Sequence, residues 1–248
     1  MNTQFYFSII TVSYNSEKTI EKTFISLLNQ EYQNFEYIVI DGYSTDQTIN
    51  IIKKYEIRFL EKGIPFRWIS EKDDGIYNAM NKGIKMANGK IIGIINSDDT
   101  YTKHALKAVY EESITYPNYD IYHGLMRFWS GNKLTMIRAL GDEMLCHSMI
   151  EHPTCFVRKE LYQNLGLFNE KYQFVADYEF MLRAKKAQSK FYLIESIISD
   201  FNENGNGNSF RARKELISLR KKLHLSGNMK LFTQYLKILL RELREKKQ

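Results

Sequence analysis

Short apolar runs alternate with amphipathic stretches along the first half of the chain. The runs are almost continuously apolar and rich in β-branched residues, which is typical of strands buried on both faces of a parallel sheet. The stretches between them repeat apolar side chains every three or four positions, which predicts helices. The alternation predicts an α/β fold, a Rossmann-like and mostly parallel sheet with helices on both faces. The predicted strands are 5–14, 35–40, 66–70 and 90–95, and the predicted helices begin near Ile20, after a cap at Thr45, near Ile76 and near Ala105.

After about residue 117 the regular alternation ends. The remaining elements are a strand pair around the turn Ser130-Gly131-Asn132, a further strand, and helices that close the chain. They predict a second half of the same domain followed by helices at the C-terminus. The predicted strands are 119–129, 133–137 and 151–158, and the predicted helices are 177–187, 210–224 and 229–245, with a Gly/Asn-rich loop at 202–209.

Charge is distributed unevenly between these parts. The formal net charge is +6, yet residues 211–248 alone hold twelve Lys or Arg and three Asp or Glu. The body of the protein is therefore mildly acidic and the tail is strongly basic. We divide the chain into three segments, 1–117, 118–208 and 209–248, of which the first two form one domain.

The last predicted helix is amphipathic and basic, which leaves two interpretations of equal weight. A basic amphipathic helix suits an anionic membrane surface. Alternatively, the apolar stripe packs on the domain or on a partner subunit. Nucleic-acid binding is disfavoured, since no platform of interleaved aromatic and basic residues accompanies the charge. The apolar stripe is Phe232, Tyr235, Leu236, Leu239 and Leu243, and the basic stripe is Lys230, Lys237, Arg241 and Arg244.

Composition and local pattern exclude several classes of protein. With 44% apolar and 14% aromatic residues the chain can bury a large core, so it is not a disordered protein. No apolar run approaches the roughly 20 residues that a membrane-spanning helix needs. The first apolar run is broken by Ser8, Thr11 and Ser13, and therefore predicts a strand and not a signal peptide. The two cysteines, Cys146 and Cys155, have no metal-binding or redox spacing, which suits the cytoplasm.

Polar residues follow each of the first four predicted strands. They are Ser13-Tyr14-Asn15, Asp41, Glu71 to Gly75, and Asn96 to Asp99. Taken singly, such residues most often form turns or helix caps. The carboxyl ends of parallel strands meet at one edge of a sheet, where ligands bind, so together they predict a binding site. Two adjacent carboxylates repel each other unless a cation shares them, which favours Mg²⁺ or Mn²⁺ at Asp98 and Asp99.

Six segments carry a resemblance to a known family. The chain resembles family 2 glycosyltransferases with the GT-A fold over residues 5 to about 200, and is most similar to the branch that builds bacterial surface polysaccharides. The matching segments are SIITVSYN (8–15), VIDGYSTDQT (39–48), SEKDDGIYNAMNKGI (70–84), IINSDD (94–99), HPTCFVRK (152–159) and ADYEFMLR (176–183).

The resemblance implies a role for each matching position. Asp177 matches the catalytic base at the head of a helix, although it could serve only as a helix cap. Asp98 matches the last position of the Asp-x-Asp element and is implied to bind the divalent metal, with Asp99 beside it. His152 and Glu151 are implied to lie near the acceptor. The implied nucleotide-binding residues are Thr11, Val12, Tyr14, Asp41, Gly75, Asn78, Asn96 and Asp98.

The chain departs from the family pattern at two points. Asn96 replaces the frequent first aspartate of the metal motif, which puts one metal or ribose contact in doubt. Asn78 also stands where an aspartate is frequent. The Gln-x-x-Arg-Trp element of processive members is absent, which favours the addition of a single sugar. The resemblance further implies that segment 1–117 binds the nucleotide sugar and segment 118–208 binds the acceptor.

The implied activity is that of an inverting, metal-dependent glycosyltransferase that uses Mn²⁺ or Mg²⁺. Its partners would be a nucleotide-sugar donor, a UDP-sugar by preference, and a glycan or lipid-linked acceptor at the inner face of the cytoplasmic membrane. Two rivals stay open. A nucleotidyltransferase would need a Gly-rich basic loop after the first strand, which residues 13–18 do not resemble. An inactive homologue acting as a scaffold is disfavoured by the intact Asp41, Asp98 and Asp177.

Overall fold

The computed structural model describes residues 5–203 and 210–225. Within these ranges the chain forms nine strands and seven α-helices, with 3₁₀ turns at Asp142–Cys146 and His152–Thr154. The strands are β1 (Phe7–Ser13), β2 (Phe35–Asp41), β3 (Phe66–Ser70), β4 (Ile91–Ile94), β5 (Thr100–Tyr101), β6 (Ile121–Ser130), β7 (Lys133–Arg138), β8 (Phe156–Arg158) and β9 (Phe191–Asn202). The helices are α1 (Ile20–Leu28), α2 (Thr48–Glu61), α3 (Ile76–Met86), α4 (Ala105–Thr115), α5 (Lys159–Leu165), α6 (Ala176–Lys186) and α7 (Phe210–Lys222).

The strands form one sheet with the order β3-β2-β1-β4-β8-β6-β9-β5, and β7 pairs with β6. The first four strands in this order are parallel. The second half is mixed: β8 is antiparallel to both β4 and β6, whereas β6 and β9 are parallel. The β6–β9 pairing runs from Ile121↔Phe191 to Trp129↔Asn202, with register shifts after Gly124. Parallel pairing brings the carboxyl ends of β1 to β4 to one edge.

Helices cover both faces of the sheet. Every residue of β1, β2 and β4 is buried, as expected for strands with helices on each side. Alternate residues of β1 separate into two core clusters. Ile9 packs with α1, α2 and α4 on one face, and Ile10 packs with α3, α5 and α6 on the other. The predicted fold class, an α/β domain with helices on both faces, is confirmed.

The predicted cap at Thr45 is wrong. Helix α2 begins at Thr48, and the Asp46 carboxylate accepts the amide of Thr48 at 3.0 Å and the amide of Glu17 at 3.1 Å. The amide of Thr45 instead donates to Oδ1 of Asn15 at 2.9 Å. Residues 45 to 47 are therefore used to tie the loop after β2 to the loop after β1.

The predicted strand 151–158 is only partly correct. Pro153 lies inside a 3₁₀ turn, and the strand is limited to Phe156–Arg158. Proline has no amide hydrogen and so cannot donate to a sheet partner. The Thr154 hydroxyl donates to the carbonyl of Glu151 at 2.7 Å and closes the turn. Strands β5 and β9 and helix α5 were not predicted from the sequence pattern.

The predicted helix 210–224 corresponds to α7, whose Leu219 is buried in the core cluster that contains α3 and α6. Most of the predicted loop 202–209 and all of the predicted helix 229–245 lie outside the described residues, as do the stripes proposed for membrane contact. Among residues 5–203 and 210–225, no helix is both long and apolar enough to cross a membrane. The division into three segments stays a prediction.

Candidate active site

Asp41 ties together the carboxyl ends of three strands. It is fully buried, and each of its oxygens accepts two hydrogen bonds. Oδ1 accepts the hydroxyls of Ser13 on β1 (3.0 Å) and Ser44 (2.6 Å), while Oδ2 accepts the Ser44 amide (2.9 Å) and the Ser70 hydroxyl on β3 (2.8 Å). A carboxylate offers about four acceptor positions, so all are in use. A nucleotide would have to replace one of these donors in order to contact Asp41.

The three candidate residues of β1 and its loop have different surroundings. Thr11 is fully buried, and its hydroxyl accepts the Tyr37 hydroxyl at 2.8 Å. Val12 is also in the core, whereas Tyr14 is 66% exposed. Tyr14 lies beside Gly42, where a Cβ would be 3.5 Å from the tyrosine ring and 3.1 Å from Oδ2 of Asp73. Of the three, Tyr14 alone presents its side chain at the open edge of the sheet.

Gly75 is the N-cap residue of helix α3 and faces open space. Its φ of +119° is a conformation that favours glycine, and a Cβ built there would meet nothing within 4 Å. The loop before it is held by Lys82, whose ammonium contacts Glu71 at 2.8 Å and Asp73 at 2.5 Å. The amino end of a helix beside open space suits an anionic group such as a diphosphate.

Asn96, Asp98 and Asp99 follow β4, and several of their oxygens lack donors. Oδ1 of Asp99 accepts the Asn202 amide at 3.1 Å. Oδ2 of Asp99 and Oδ1 of Asn96 are buried, and no described residue bonds to either. Burial raises the pKa of Asp98, and burial together with the charge of Asp98 holds the pKa of Asp99 well above its usual value. A cation at this place would offset the repulsion and supply the missing partner.

The oxygen ligands fit a hard divalent cation, but they do not enclose one. In the described part of the chain, no group of three or more His, Cys, Asp or Glu residues is placed to hold a metal. Asp98, Asp99 and the amide oxygen of Asn96 would leave coordination positions for phosphate oxygens and water, which is how Mg²⁺ is usually bound with phosphorylated substrates.

Asp177 lies in the first turn of α6 and has one engaged and one open oxygen. Its Oδ1 accepts the Tyr77 hydroxyl at 2.7 Å and the Tyr178 amide at 2.8 Å. No described residue donates to Oδ2. Burial, followed by the charge of Asp177, holds the pKa of Tyr77 well above its ordinary value, so the phenol stays a neutral donor. Tyr77 joins α3 to the candidate base.

Tyr77 was missed by sequence analysis although its segment was recognised. It lies in SEKDDGIYNAMNKGI, two residues after Gly75, and it is nearly fully buried. An apolar-facing tyrosine in the first turn of a helix is usually a core residue, and only the fold reveals that its hydroxyl meets Asp177.

The two candidate acceptor residues, His152 and Glu151, contact different parts of the structure. Burial lowers the pKa of His152, and the nearby charge of Asp177 partly offsets this, so the two side chains share one environment. Glu151 is buried, and its oxygens accept Nε of Arg138 at 2.5 Å and the Leu140 amide at 3.0 Å. Glu151 thus fixes the end of β7, whereas His152 lies near the candidate base.

Asn78 is joined to Glu170 and not to another candidate residue. Its side-chain amide donates to Oε2 of Glu170 at 2.9 Å, and Asn81 donates to Oε1 at 2.7 Å. These two bonds lower the pKa of Glu170, and the bond from Asn81 has the larger effect. Asn81 and Glu170 line a cleft of about 570 Å³ next to Asp74.

Comparison with known proteins identifies the family. The model of the family described as "Glycosyl transferase family 2" matches residues 8–184. The chain belongs to glycosyl transferase family 2. A relative from Mycobacterium bovis, the PGL/p-HBAD biosynthesis glycosyltransferase, is 28% identical over 219 residues, which are 85% of this chain and 82% of the relative. The enzyme class predicted from the sequence, a glycosyltransferase, is confirmed.

Solved structures of this fold agree with the architecture. TarS 1–349 of S. aureus in complex with UDP-GlcNAc has a TM-score of 0.71 and 20% identity, and the match covers 94% of this glycosyltransferase and 71% of TarS 1–349. A longer TarS chain is matched over 41% of its length. The mannosyltransferase PcManGT of Pyrobaculum calidifontis, in complex with GDP-Man and Mn²⁺, has a TM-score of 0.69 and 15% identity, over 94% of this chain and 68% of its own. The predicted GT-A fold is confirmed.

Proposed function

We propose that this family 2 glycosyltransferase moves a single sugar from a UDP-sugar to an acceptor hydroxyl on a lipid-linked or growing surface glycan, with inversion and with a divalent metal. The observation that carries the proposal is the contrast between engaged and open oxygens at one edge of the sheet. Asn96 and Asp99 have buried oxygens without donors, and Asp177 has one oxygen fixed and one free.

Asp98 and Asp99 would hold a divalent metal that supports departure of the nucleotide. Asp98 and Asp99 follow β4, and the amino end of α3 at Gly75 follows β3, so both lie at the carboxyl edge of the parallel strands. A cation held by the carboxylates would offset the charge that develops on a leaving diphosphate. Tyr14, exposed at the same edge, has a ring that can lie against a nucleotide base.

Asp177 is proposed to accept the proton of the acceptor hydroxyl. An alcohol is a weak nucleophile at neutral pH, so a positioned base must take its proton as attack proceeds. Tyr77 and the Tyr178 amide hold Oδ1, which leaves Oδ2 to contact the acceptor. One base opposite the leaving group fits a direct displacement, in which the anomeric configuration inverts. His152, which is near Asp177, would line the acceptor side.

The choice of partners rests on the relatives and on the sequence. TarS was crystallised with UDP-GlcNAc, and PcManGT with GDP-Man and Mn²⁺, which supports a nucleotide-sugar donor and a divalent metal for the present chain. The mycobacterial relative is named for the biosynthesis of PGL/p-HBAD, which supports a biosynthetic glycosyltransferase that glycosylates a larger acceptor. We place the enzyme in the cytoplasm, with peripheral contact at the inner membrane face through the basic tail.

Calorimetry and product analysis test the proposal. UDP is titrated into the protein with Mn²⁺ and, as a matched control, with EDTA; GDP serves as the control for the base. Tight binding of UDP that depends on Mn²⁺ is expected. UDP release is then screened over a panel of UDP-sugars, and nuclear magnetic resonance of the product gives the anomeric configuration. Retention of the anomeric configuration would exclude the proposed mechanism, and so would a rate of UDP release that EDTA does not change.

A further inference from the structure

Helix α7 reaches back to the segment that carries Asp177. The carboxylate of Glu215 accepts three consecutive backbone amides: Gln173 at 2.8 Å through Oε1, and Phe174 at 2.6 Å and Val175 at 3.1 Å through Oε2. Three successive amides that converge on one carboxylate form an anion-binding concavity of the backbone. The last of them is only two residues before Asp177.

The start of α6 has no side-chain cap of its own. The residue before α6 is Val175, whose apolar side chain cannot cap the helix. The amides of residues 173 to 175 find no carbonyl partner within the helix that follows. Glu215, about forty residues away in the chain, supplies the acceptor. Bonds from amides to a charged carboxylate are about twice as strong as neutral ones.

Other contacts of α7 hold Glu215 in place. Leu219, one turn further along, is buried in the core cluster that includes α6. Lys222 lies near the hydroxyl of Tyr172, at 3.4 Å, so α7 contacts both ends of the segment 172–175. The pKa of Tyr77 is raised by burial and by Asp177, and the charge of Glu215 adds to this. The charge of Glu215 therefore acts on the hydroxyl that donates to Asp177.

We propose that Glu215 is a positioning residue for Asp177, and that α7 is part of the catalytic unit although it lies beyond the residues matched by the family model, 8–184. The inference rests on the proposed function of Asp177. Glu215 fixes the backbone at 173–175 and thereby the start of α6, so that Oδ2 of Asp177 points to the acceptor. Glu215 touches neither substrate, and its loss affects transfer and not donor binding.

The test compares Glu215→Gln and Glu215→Ala with Asp120→Asn. Asp120 also accepts a backbone amide, that of Lys190 at 2.8 Å, but this amide lies beyond the C-terminal end of α6, whereas Asp177 is in its first turn. UDP-N-acetylglucosamine and other UDP-sugars serve as donors, and a panel of octyl glycosides as acceptors. We expect the kcat of transfer to fall between about tenfold and a hundredfold in both Glu215 variants, because small displacements of reacting groups are costly. The UDP dissociation constant should stay within about twofold of the unaltered protein in the same titration.

Two further measurements separate positioning from general damage. UDP release to water without acceptor should fall less than transfer, because water does not need the same alignment of Asp177. Hydrogen exchange of amides 173–178 should accelerate in both variants and remain unchanged in Asp120→Asn. Transfer that stays within twofold in Glu215→Gln and Glu215→Ala would overturn the inference, as would an equal loss of UDP affinity in Glu215→Gln. If the unaltered protein fails to release UDP from any donor, the proposed function fails, while hydrogen exchange still decides whether Glu215 holds this segment.

Discussion

The hydroxyl of Tyr77 donates a hydrogen bond of 2.7 Å to Oδ1 of Asp177. Tyr77 belongs to the first turn of α3, which follows the loop of Gly75, so this helix and the candidate base are in direct contact. A base that is fixed through one oxygen keeps a constant direction at the other.

Tyr77→Phe should lower the kcat of transfer about tenfold, since hydrogen bonds to charged groups are worth about 1.5–3 kcal/mol. Steady-state transfer kinetics measure the effect. Tyr55→Phe is the matched control: Tyr55 donates to Glu21 at 2.9 Å on the other face of the sheet, and its loss should leave kcat unchanged. An unchanged kcat in Tyr77→Phe would contradict the role of the bond.

Asp177→Asn should nearly abolish transfer and preserve UDP binding. General-base catalysis typically contributes about 10²–10⁴-fold, and an amide cannot accept the proton. Transfer kinetics and UDP calorimetry on the same preparation are the measurements. Transfer above roughly a tenth of the normal rate would count against Asp177 as the base. An equal loss of UDP affinity would indicate a structural role instead.

Asp98→Asn should weaken the binding of Mn²⁺ and remove most of the transfer activity, while the protein still folds. Asp98 and Asp99 repel each other in the absence of a cation, which is one cause of the raised pKa of Asp99. Removal of one charge should therefore leave the metal-free protein at least as resistant to urea. Mn²⁺ titration of the activity and urea unfolding in EDTA measure the two effects. A variant with normal turnover and normal Mn²⁺ dependence would show that Asp98 is not a ligand.

His123 should make the protein less stable in acid. Burial lowers its pKa from 6.5 to about 4, a shift that Asp142 and Glu143 partly oppose. Between pH 6.5 and 4 the imidazole of His123 is protonated in the unfolded chain but neutral in the folded protein. The free energy of unfolding therefore decreases as pH falls through this window. From pH 7.5 to 5 the loss due to His123 should be about 2 kcal/mol.

Urea unfolding of the unaltered protein and His123→Leu at both pH values tests this. Leucine does not titrate, so the variant should lose less stability than the unaltered protein over the same pH change. Equal losses in the two proteins would mean that His123 contributes nothing to the acid sensitivity.

Truncation after Asn228 should release the protein from anionic vesicles and retain metal-dependent UDP release. Glu215 and the whole of α7 remain in the truncated chain. Each basic side chain near an anionic surface is worth about 1 kcal/mol, and salt screens the attraction. Co-sedimentation with vesicles across a salt series is the measurement. Equal sedimentation of both proteins would exclude a membrane role, and an insoluble truncated protein would favour packing of the apolar stripe on the domain.

Local pattern was sufficient for the parallel half of the sheet. The runs that became β1 to β4 are apolar and short, and the residues after them are polar, so their type and order followed from periodicity. Strand β3 was predicted with its observed ends, Phe66–Ser70. By contrast, β9 was missed because Phe191–Asn202 mixes apolar and polar residues without a steady period, and its pairing with β6 depends on tertiary contacts and on shifts of register.

The sequence motifs named candidate residues for the site, but they did not predict the hydrogen-bond partners of those residues. Asp98, Asp99 and Asp177 lie in recognisable motifs, but the partners that define their state come from distant positions: Asn202 for Asp99, and Tyr77 for Asp177. Asp41 illustrates the limit. Its place at the end of β2 was predicted, yet sequence spacing contains no information that three serine groups would occupy both of its oxygens.

The position of β4 between β1 and β8 has a consequence for synthesis of the chain. Until Phe156–Arg158 has left the ribosome, β4 has one unpaired edge, which is a template for pairing with other chains. Until residue 202 follows, Asp99 also lacks the amide that it accepts. Pairings between such distant segments form slowly. We therefore expect the nascent protein to depend on chaperones until β8 and residue 202 have been synthesised. The active site should assemble only when most of the chain has been made.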